Sequence, residues 1–114
     1  MSPAGMTSQP EWKGTDGVLE NHLIRQTPEA SHHWIRLSGP EKPHIHKTHD
    51  LTVVVVEGEA NVHFQKQTYR VVPGDVIFIP RGAVHWAQNR TPDGAVVYAV
   101  FTPPSDGKDY LQVD

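Results

Sequence analysis

The stretch that decides the fold of this chain is GDVIFIPRGAVHWAQN, residues 74–89. It opens with the turn-forming pair Gly74-Asp75, continues as a short apolar segment and is interrupted again by Pro80 and Gly82. Glycine and proline favour tight turns because they accept, or already have, the backbone angles that reverse the chain. The stretch therefore predicts two short strands joined by a turn, with His85 at the start of the second strand.

The rest of the chain repeats this alternation of short strands and turns. The 114 residues include ten prolines and nine glycines, and turn signals recur about every eight to twelve residues, as in a β-sandwich or closed barrel. Apolar and polar residues alternate, or β-branched residues cluster, in segments 18–26, 31–38, 51–56, 60–64, 69–72, 76–79, 84–89 and 95–101. We predict an all-β domain without a helix, closed by an ordered but irregular tail over residues 103–114.

Composition excludes several classes of protein. The chain has no cysteine, so disulfides and thiolate metal sites are ruled out. A net charge of −3 gives no basic surface for nucleic acid, and even the longest apolar run, residues 95–101, is far shorter than a membrane span. We expect a flexible arm over residues 1–14 without a secretory signal, one domain over 15–114, and a cytoplasmic location.

Histidines carry the functional signal, because five of the eight fall in the middle of the chain, at positions 44, 46, 49, 63 and 85. His44 and His46 are two residues apart, which places both imidazoles on one face of a strand. Neutral imidazole is the commonest metal ligand in proteins. Two imidazoles from one strand and one from a facing strand can together occupy one face of a metal ion.

Two stretches resemble the motifs of the cupin superfamily. Residues 74–89 fill every defining position of its second motif, G-x5-P-x-G-x2-H-x3-N, and residues 39–46 resemble the start of its first motif, G-x4-5-H-x-H, which would extend over 39–60. The resemblance implies a small single-domain bacterial cupin, a double-stranded β-helix or jelly-roll barrel that forms a homodimer. It also implies one divalent transition metal ion, held by His44, His46 and His85, with Fe, Mn, Zn, Ni and Cu all open.

The first motif is incomplete in this chain. It should continue with a glutamate three or four residues after the second histidine and a glycine seven residues after that glutamate. Counting forward from His46 leads to Asp50, whereas counting back from Gly58 leads to Leu51. Asp50 is a fourth ligand if a β-bulge turns it inward. The alternatives are a site of three histidines alone and, if the strand shifts by one residue, His49 as the fourth ligand.

Fold alone does not decide what such a protein does. One hypothesis is a metalloenzyme acting on a small organic molecule, an oxidoreductase of the dioxygenase type or an isomerase, with Tyr98 or His63 as the acid–base group if it faces the cavity. The other is a non-catalytic sensor, carrier or storage protein that binds a metal and a small ligand, and a metal-free structural cupin is a third reading. We expect the pocket wall to be formed by alternate residues such as Val53, Val55, Phe78, Ala87, Tyr98 and Val100.

Overall fold

The computed structural model describes residues 8–14 and 17–113, and these form ten strands and no helix. The strands are β1 (Leu19–Gln26), β2 (Ser31–Leu37), β3 (His44–His46), β4 (Asp50–Glu57), β5 (Ala60–Phe64), β6 (Gln67–Val71), β7 (Val76–Ile79), β8 (His85–Asn89), β9 (Ala95–Thr102) and β10 (Tyr110–Gln112). They pair into two antiparallel five-stranded sheets, ordered β1-β2-β9-β4-β7 and β10-β3-β8-β5-β6. The predicted all-β, double-stranded β-helix fold is confirmed.

The core lies between the two sheets and follows from the two-residue period of the strands. One group of buried side chains includes Val55 and Val62, and a second includes Ile35, Leu51 and Phe101. Burying an aliphatic or aromatic side chain of this size stabilises the fold by roughly 1.5–3 kcal/mol. The second group adjoins the histidines, because the Phe101 ring centroid lies 5.4 Å from that of His46.

The two sequence motifs are joined by a polar contact at the far end of β8. Asn89, the last residue of the second motif, accepts a hydrogen bond from the backbone amide of Gly39 at 2.6 Å and donates one to the carbonyl of Thr91 at 2.7 Å. Asn89 therefore anchors the loop in which the first motif begins. This contact sets the approach of the chain toward β3.

One strand lies where the sequence predicts irregular structure. Residues 110–112 form β10, which pairs with β3 in the register Tyr110↔His46 and Gln112↔His44. The tail expected to be irregular thus adds an edge strand to the second sheet, next to the histidines.

The N-terminal arm predicted over residues 1–14 is only partly described, since its residues 1–7 lie outside the described residues. Gln9 donates a hydrogen bond to the Glu57 carboxylate at 2.9 Å, and the amides of Lys13 and Gly14 donate to Glu20. Residues 8–14 thus make contacts with β1 and β4. Among the residues that the structure describes, no helix has the length and hydropathy that a membrane crossing requires.

Candidate metal centre

Three imidazoles come together on neighbouring strands of the second sheet. His44 on β3 lies directly opposite His85 on β8, and His46 follows His44 by two residues on the same face. The ring centroid of His85 is 4.3 Å from that of His44 and 5.4 Å from that of His46. One nitrogen of each ring lies within 4.8 Å of the others, so the three offer a compact set of ligand atoms.

Backbone carbonyls fix the orientation of two of these rings. The Nδ1 atom of His44 bonds to the carbonyl of Lys42 at 2.7 Å, and that of His85 bonds to the carbonyl of Ala83 at 3.1 Å. A carbonyl oxygen only accepts, so each Nδ1 carries the proton and each Nε2 keeps its lone pair. Metal-ligating histidines show this outer-shell arrangement. The donor set therefore fits the divalent ion implied by the sequence resemblance.

The surroundings keep the imidazoles neutral, as metal ligation requires. Burial lowers the pKa of His85 to about 4 and, together with the neighbouring His44, lowers the pKa of His46 to about 4. Burial also lowers the pKa of His44. At neutral pH all three rings are uncharged electron-pair donors.

The structure does not bring Asp50 into this group. Its carboxylate accepts hydrogen bonds from the backbone amide and the guanidinium of Arg81, which hold its pKa below the usual value. Strand alternation explains this orientation, because the next residue, Leu51, lines the cavity. The register irregularity of β4 lies between Val55 and Glu57, too far along the strand to turn Asp50 inward.

His49 is buried near the three imidazoles, but both of its nitrogens are engaged. Nδ1 bonds to the carboxylate of Asp109 at 2.5 Å and Nε2 to the carbonyl of Pro104 at 3.0 Å. Burial acts to lower the pKa of His49, yet these two contacts raise it above the usual value. Since a carboxylate and a carbonyl both accept, the ring is doubly protonated and has no lone pair for a metal.

The two candidate acid–base residues lie on outer faces of the sheets. The Tyr98 hydroxyl bonds to Nδ1 of His32 at 2.7 Å, and its neighbours Val97 and Ala99 line the cavity instead. His63 stacks on Trp86, with ring centroids 3.6 Å apart. Because side chains alternate along a strand, neither Tyr98 nor His63 reaches the cavity.

The three imidazoles open into a largely apolar cavity of about 230 Å³ between the sheets. Of the wall residues expected from the sequence, Val53, Val55 and Ala87 line it, whereas Phe78, Tyr98 and Val100 do not. The reason is strand parity: Ile77 and Ile79 point inward, and Phe78 between them is 57% exposed. The cavity places apolar walls beside the imidazole cluster.

Comparison with known proteins agrees with this geometry, since the family model described as the cupin domain matches residues 32–101. The chain belongs to the cupin family. An uncharacterized protein from Aquifex aeolicus (strain VF5) is 35% identical over 104 residues, which cover 91% of this chain and 85% of that protein.

Solved structures resemble this cupin along most of its length. KdgF from Halomonas sp. superposes with a TM-score of 0.76 at 25% identity, over 86% of this chain and 92% of that one. A double-stranded β-helix protein from Klebsiella pneumoniae superposes with a TM-score of 0.73 at 20% identity, over 90% of each chain. The second likeness concerns the fold alone.

Glu41 is one of the cavity residues of this cupin that sequence reasoning missed. Its backbone amide donates to the carbonyl of Ala87 at 2.8 Å, and its Oε1 accepts a hydrogen bond from the amide of Ala87 at 3.1 Å. Burial raises the pKa of Glu41 to about 7. No sequence pattern marks it, because Glu41 lies in a loop that long-range contacts, including the Pro40↔Gln88 bridge, bring against β8.

The C-terminal tail of this cupin forms part of the cavity wall beside the metal centre. Asp109 accepts hydrogen bonds from the amides of Lys47 and Thr48 at 3.0 and 2.8 Å, in addition to that from His49. The Tyr110 ring stacks on His44, with centroids 4.5 Å apart and planes inclined by 26°. We call residues 103–112 the C-terminal strap, which is held by Asp109, by the contact of the Pro104 carbonyl with His49 and by the pairing of β10 with β3.

Proposed function

We propose that this cupin is a metalloenzyme that binds one divalent transition metal ion through His44, His46 and His85 and acts on a small organic molecule in the adjoining cavity. The observation that carries the proposal is the clustering of three ring nitrogens within 4.8 Å of one another at the cavity wall. The carbonyl contacts of His44 and His85, which leave Nε2 of both rings free, support the same assignment.

The ligand set indicates the kind of molecule that would bind. A divalent transition metal on neutral nitrogen ligands with open positions supplies Lewis acidity and, when redox-active, chemistry with dioxygen. At the two positions that could match the glutamate of the first motif, Leu51 faces the cavity and Asp50 is paired with Arg81, so neither offers a carboxylate that would offset the charge of the ion. Such a centre favours a substrate with an anionic donor, such as a carboxylate, enolate or thiolate.

The cavity limits the size of the substrate. Its volume of about 230 Å³ is below the roughly 300–1,000 Å³ of pockets that hold drug-sized ligands. The apolar walls bind the hydrocarbon part of such a molecule and keep bulk water out. The reaction class we place first is that of a dioxygenase-type oxidoreductase, with the metal left open among Fe, Mn, Zn, Ni and Cu.

A non-catalytic metal and ligand carrier is the second candidate function. The observation that favours it is the outward orientation of Tyr98 and His63, which removes the two acid–base candidates of the sequence analysis from the cavity. Under either function, a homodimer stays a prediction from the family resemblance, and a cytoplasmic location stays a prediction from the sequence.

Metal analysis of purified variants tests the site. We expect about one ion per chain in the wild type, and loss of that ion in His44→Ala and in His85→Ala with the far-UV circular dichroism unchanged. His63→Ala is the matched control, because it removes a histidine outside the cluster and should keep the metal. Full metal content in both His44→Ala and His85→Ala would overturn the proposal.

Oxygen consumption by the Fe(II)-loaded protein then separates the two functions. Diphenols, thiols and diketones form the substrate panel, because each offers the metal an anionic or readily ionised donor. Uptake that is present in the wild type and in His63→Ala but absent in His85→Ala supports the enzyme. Saturable binding of panel members without oxygen uptake supports the carrier.

A further inference from the structure

Two carboxyl groups that line the cavity differ in how their oxygens are used. Asp109 has both oxygens engaged, by the amides of Lys47 and Thr48 and by His49. In Glu41 only Oε1 accepts a hydrogen bond, from the backbone amide of Ala87. In the described part of the chain, Oε2 of Glu41 has no hydrogen-bond partner, so it is available to a molecule in the cavity.

The contact with Ala87 does not by itself account for a carboxyl group at this position. The register between β3 and β8 consists of the pair His44↔His85, and further along β8 the chain is joined by the bond from the Glu41 amide to the Ala87 carbonyl and by the Pro40↔Gln88 bridge. Oε1 of Glu41 fills the gap between them by accepting from the Ala87 amide. That role needs only a hydrogen-bond acceptor, which the uncharged side-chain amide of glutamine would also supply. Burying an ionisable carboxyl group in its place costs folding free energy.

Glu41 also lies at a useful separation from the imidazoles. His85 and Ala87 both line the cavity and are two residues apart on β8, which corresponds to about 7 Å along a strand. The carboxyl group of Glu41, which is bound to the Ala87 amide, is therefore separated from the histidine cluster by about the length of a small molecule. Over the whole cavity, the lining side chains are predominantly aliphatic.

We propose that Glu41 is the second recognition group of the cavity and hydrogen-bonds an uncharged hydroxyl group of a ligand whose opposite end is a carboxylate at the metal centre. The ligand class is thus a short hydroxycarboxylic acid with a hydrocarbon spacer. This inference rests on the proposed function, because the carboxylate end requires the metal held by His44, His46 and His85.

The chemistry of Glu41 matches a hydroxyl better than a charged group. With a pKa of about 7, the side chain exists both as an acid and as a carboxylate near neutrality. A hydroxyl accepts from the acid and donates to the carboxylate, so it is bound in both states. A second carboxylate on the ligand would be repelled by the ionised form.

The test compares ω-hydroxyalkanoates of three to six carbons with the alkanoates of the same length, by titration calorimetry on Zn²⁺-loaded protein. Zn²⁺ prevents redox turnover, so the readout is binding alone. At the best-fitting length we expect the hydroxyl to increase the affinity of the wild type about tenfold, as a hydrogen bond to a charged group does. Glu41→Leu should reduce this advantage to less than twofold.

Glu41→Gln covers the case in which Glu41→Leu fails to fold, because glutamine keeps an acceptor for Ala87. A neutral hydrogen bond is weaker, so the advantage should fall to about threefold in this variant. Glu29→Gln, which changes an exposed carboxylate, is the control and should keep the wild-type advantage. An unchanged hydroxyl advantage in the folded Glu41 variants overturns the proposal, as does the absence of binding by every member of the series.

Titration with Zn²⁺ alone separates this inference from the proposed function. The wild type and the Glu41 variants should bind Zn²⁺ equally, and His85→Ala should not. Failure of the wild type to bind Zn²⁺ overturns the proposed function and this inference with it. Normal Zn²⁺ binding combined with an unchanged hydroxyl advantage in the variants overturns the role of Glu41 alone.

Discussion

His44 and His85 face each other as a directly opposed pair on β3 and β8, with ring centroids 4.3 Å apart. They are the one pair in register between these two strands in the described chain. A metal ion bound to both rings would therefore cross-link two strands that share few other bonds. Metal binding should thus be visible in the stability of the fold as well as in the composition of the protein.

Zinc should raise the melting temperature of the wild type and leave that of His85→Ala unchanged. At a free Zn²⁺ concentration of about 100 times Kd, binding to the native state alone adds about 2.7 kcal/mol to the free energy of unfolding. For a domain of this size that corresponds to a rise of at least about 10 °C. Differential scanning calorimetry with and without Zn²⁺ measures it.

The control for the zinc effect is His63→Ala, which should show the same rise as the wild type because His63 stacks on Trp86 outside the cavity. An equal rise in His85→Ala and the wild type would contradict a site that includes His85.

The pH dependence of stability should differ between the wild type and Glu41→Gln. Burial raises the pKa of Glu41 from 4.5 to about 7, so between these values the unfolded chain releases a proton that the folded chain keeps. The free energy of unfolding of the wild type should therefore fall relative to that of Glu41→Gln as the pH rises from 4.5 to 7, by about 2–3 kcal/mol. Below pH 4.5 the difference should be constant.

Urea unfolding of both proteins at several pH values measures this difference, and the other titrating groups cancel in the comparison. Glu29→Gln should run parallel to the wild type throughout. A gap between the wild type and Glu41→Gln that does not change with pH would show that Glu41 titrates normally.

The parts of the fold that depend on local chemistry could be predicted from the sequence. Gly74, Pro80 and Gly82 mark turns by their own backbone preferences, and the strands begin and end where these residues indicate. His44 and His46 share a face because they are two residues apart on a strand. Local rules suffice for these features because no distant partner decides them.

The ambiguity between Asp50 and Leu51 could not be resolved in the same way. One residue of register separates them, and such a slip exchanges the inward and outward faces of a strand. Asp50 pairs with Arg81 and Leu51 packs in the core, so Leu51 is the residue that points inward. Both depend on β7 and its following turn, which the local sequence of β4 does not contain.

Glu41 as a cavity residue and β10 as a strand could not be predicted from the sequence, for a related reason. Residues 110–112 form a three-residue strand only because the edge of β3 is available to them, and Glu41 enters the cavity only because the chain bridges to β8. Such contacts join segments that are tens of residues apart, so neither propensity nor periodicity reports them.

Removing the Asp109 carboxylate should make the C-terminal strap more mobile. Asp109→Ala leaves the amides of Lys47 and Thr48 and the buried ring of His49 without their acceptor. Among these donors the His49 ring is buried, and leaving a buried donor unpaired destabilises a protein by about 1–3 kcal/mol, so we expect a loss of about 1–3 kcal/mol. Hydrogen exchange should also become faster over residues 103–112.

Asp106→Ala provides the comparison for the strap, because Asp106 accepts from the amide of Lys108 within the strap itself. Its loss should leave both stability and exchange nearly unchanged. Equal effects of the two substitutions would mean that Asp109 does not fasten the strap.

Two glycines with positive φ should respond very differently to alanine. At Gly58 (φ +74°) an added Cβ would lie 2.4 Å from the carbonyl oxygen of Gly94 and 2.7 Å from Oγ1 of Thr91. At Gly74 (φ +97°) an added Cβ meets no atom within 4 Å. Gly74→Ala should therefore lower the free energy of unfolding only by the conformational penalty of about 1 kcal/mol. Gly58→Ala should lower it by about 3 kcal/mol or more, because the backbone at Gly94 must also move. Equilibrium unfolding in urea compares the two variants directly, and equal losses of stability would mean that the close approach of Gly58 to Gly94 does not limit the residue at position 58.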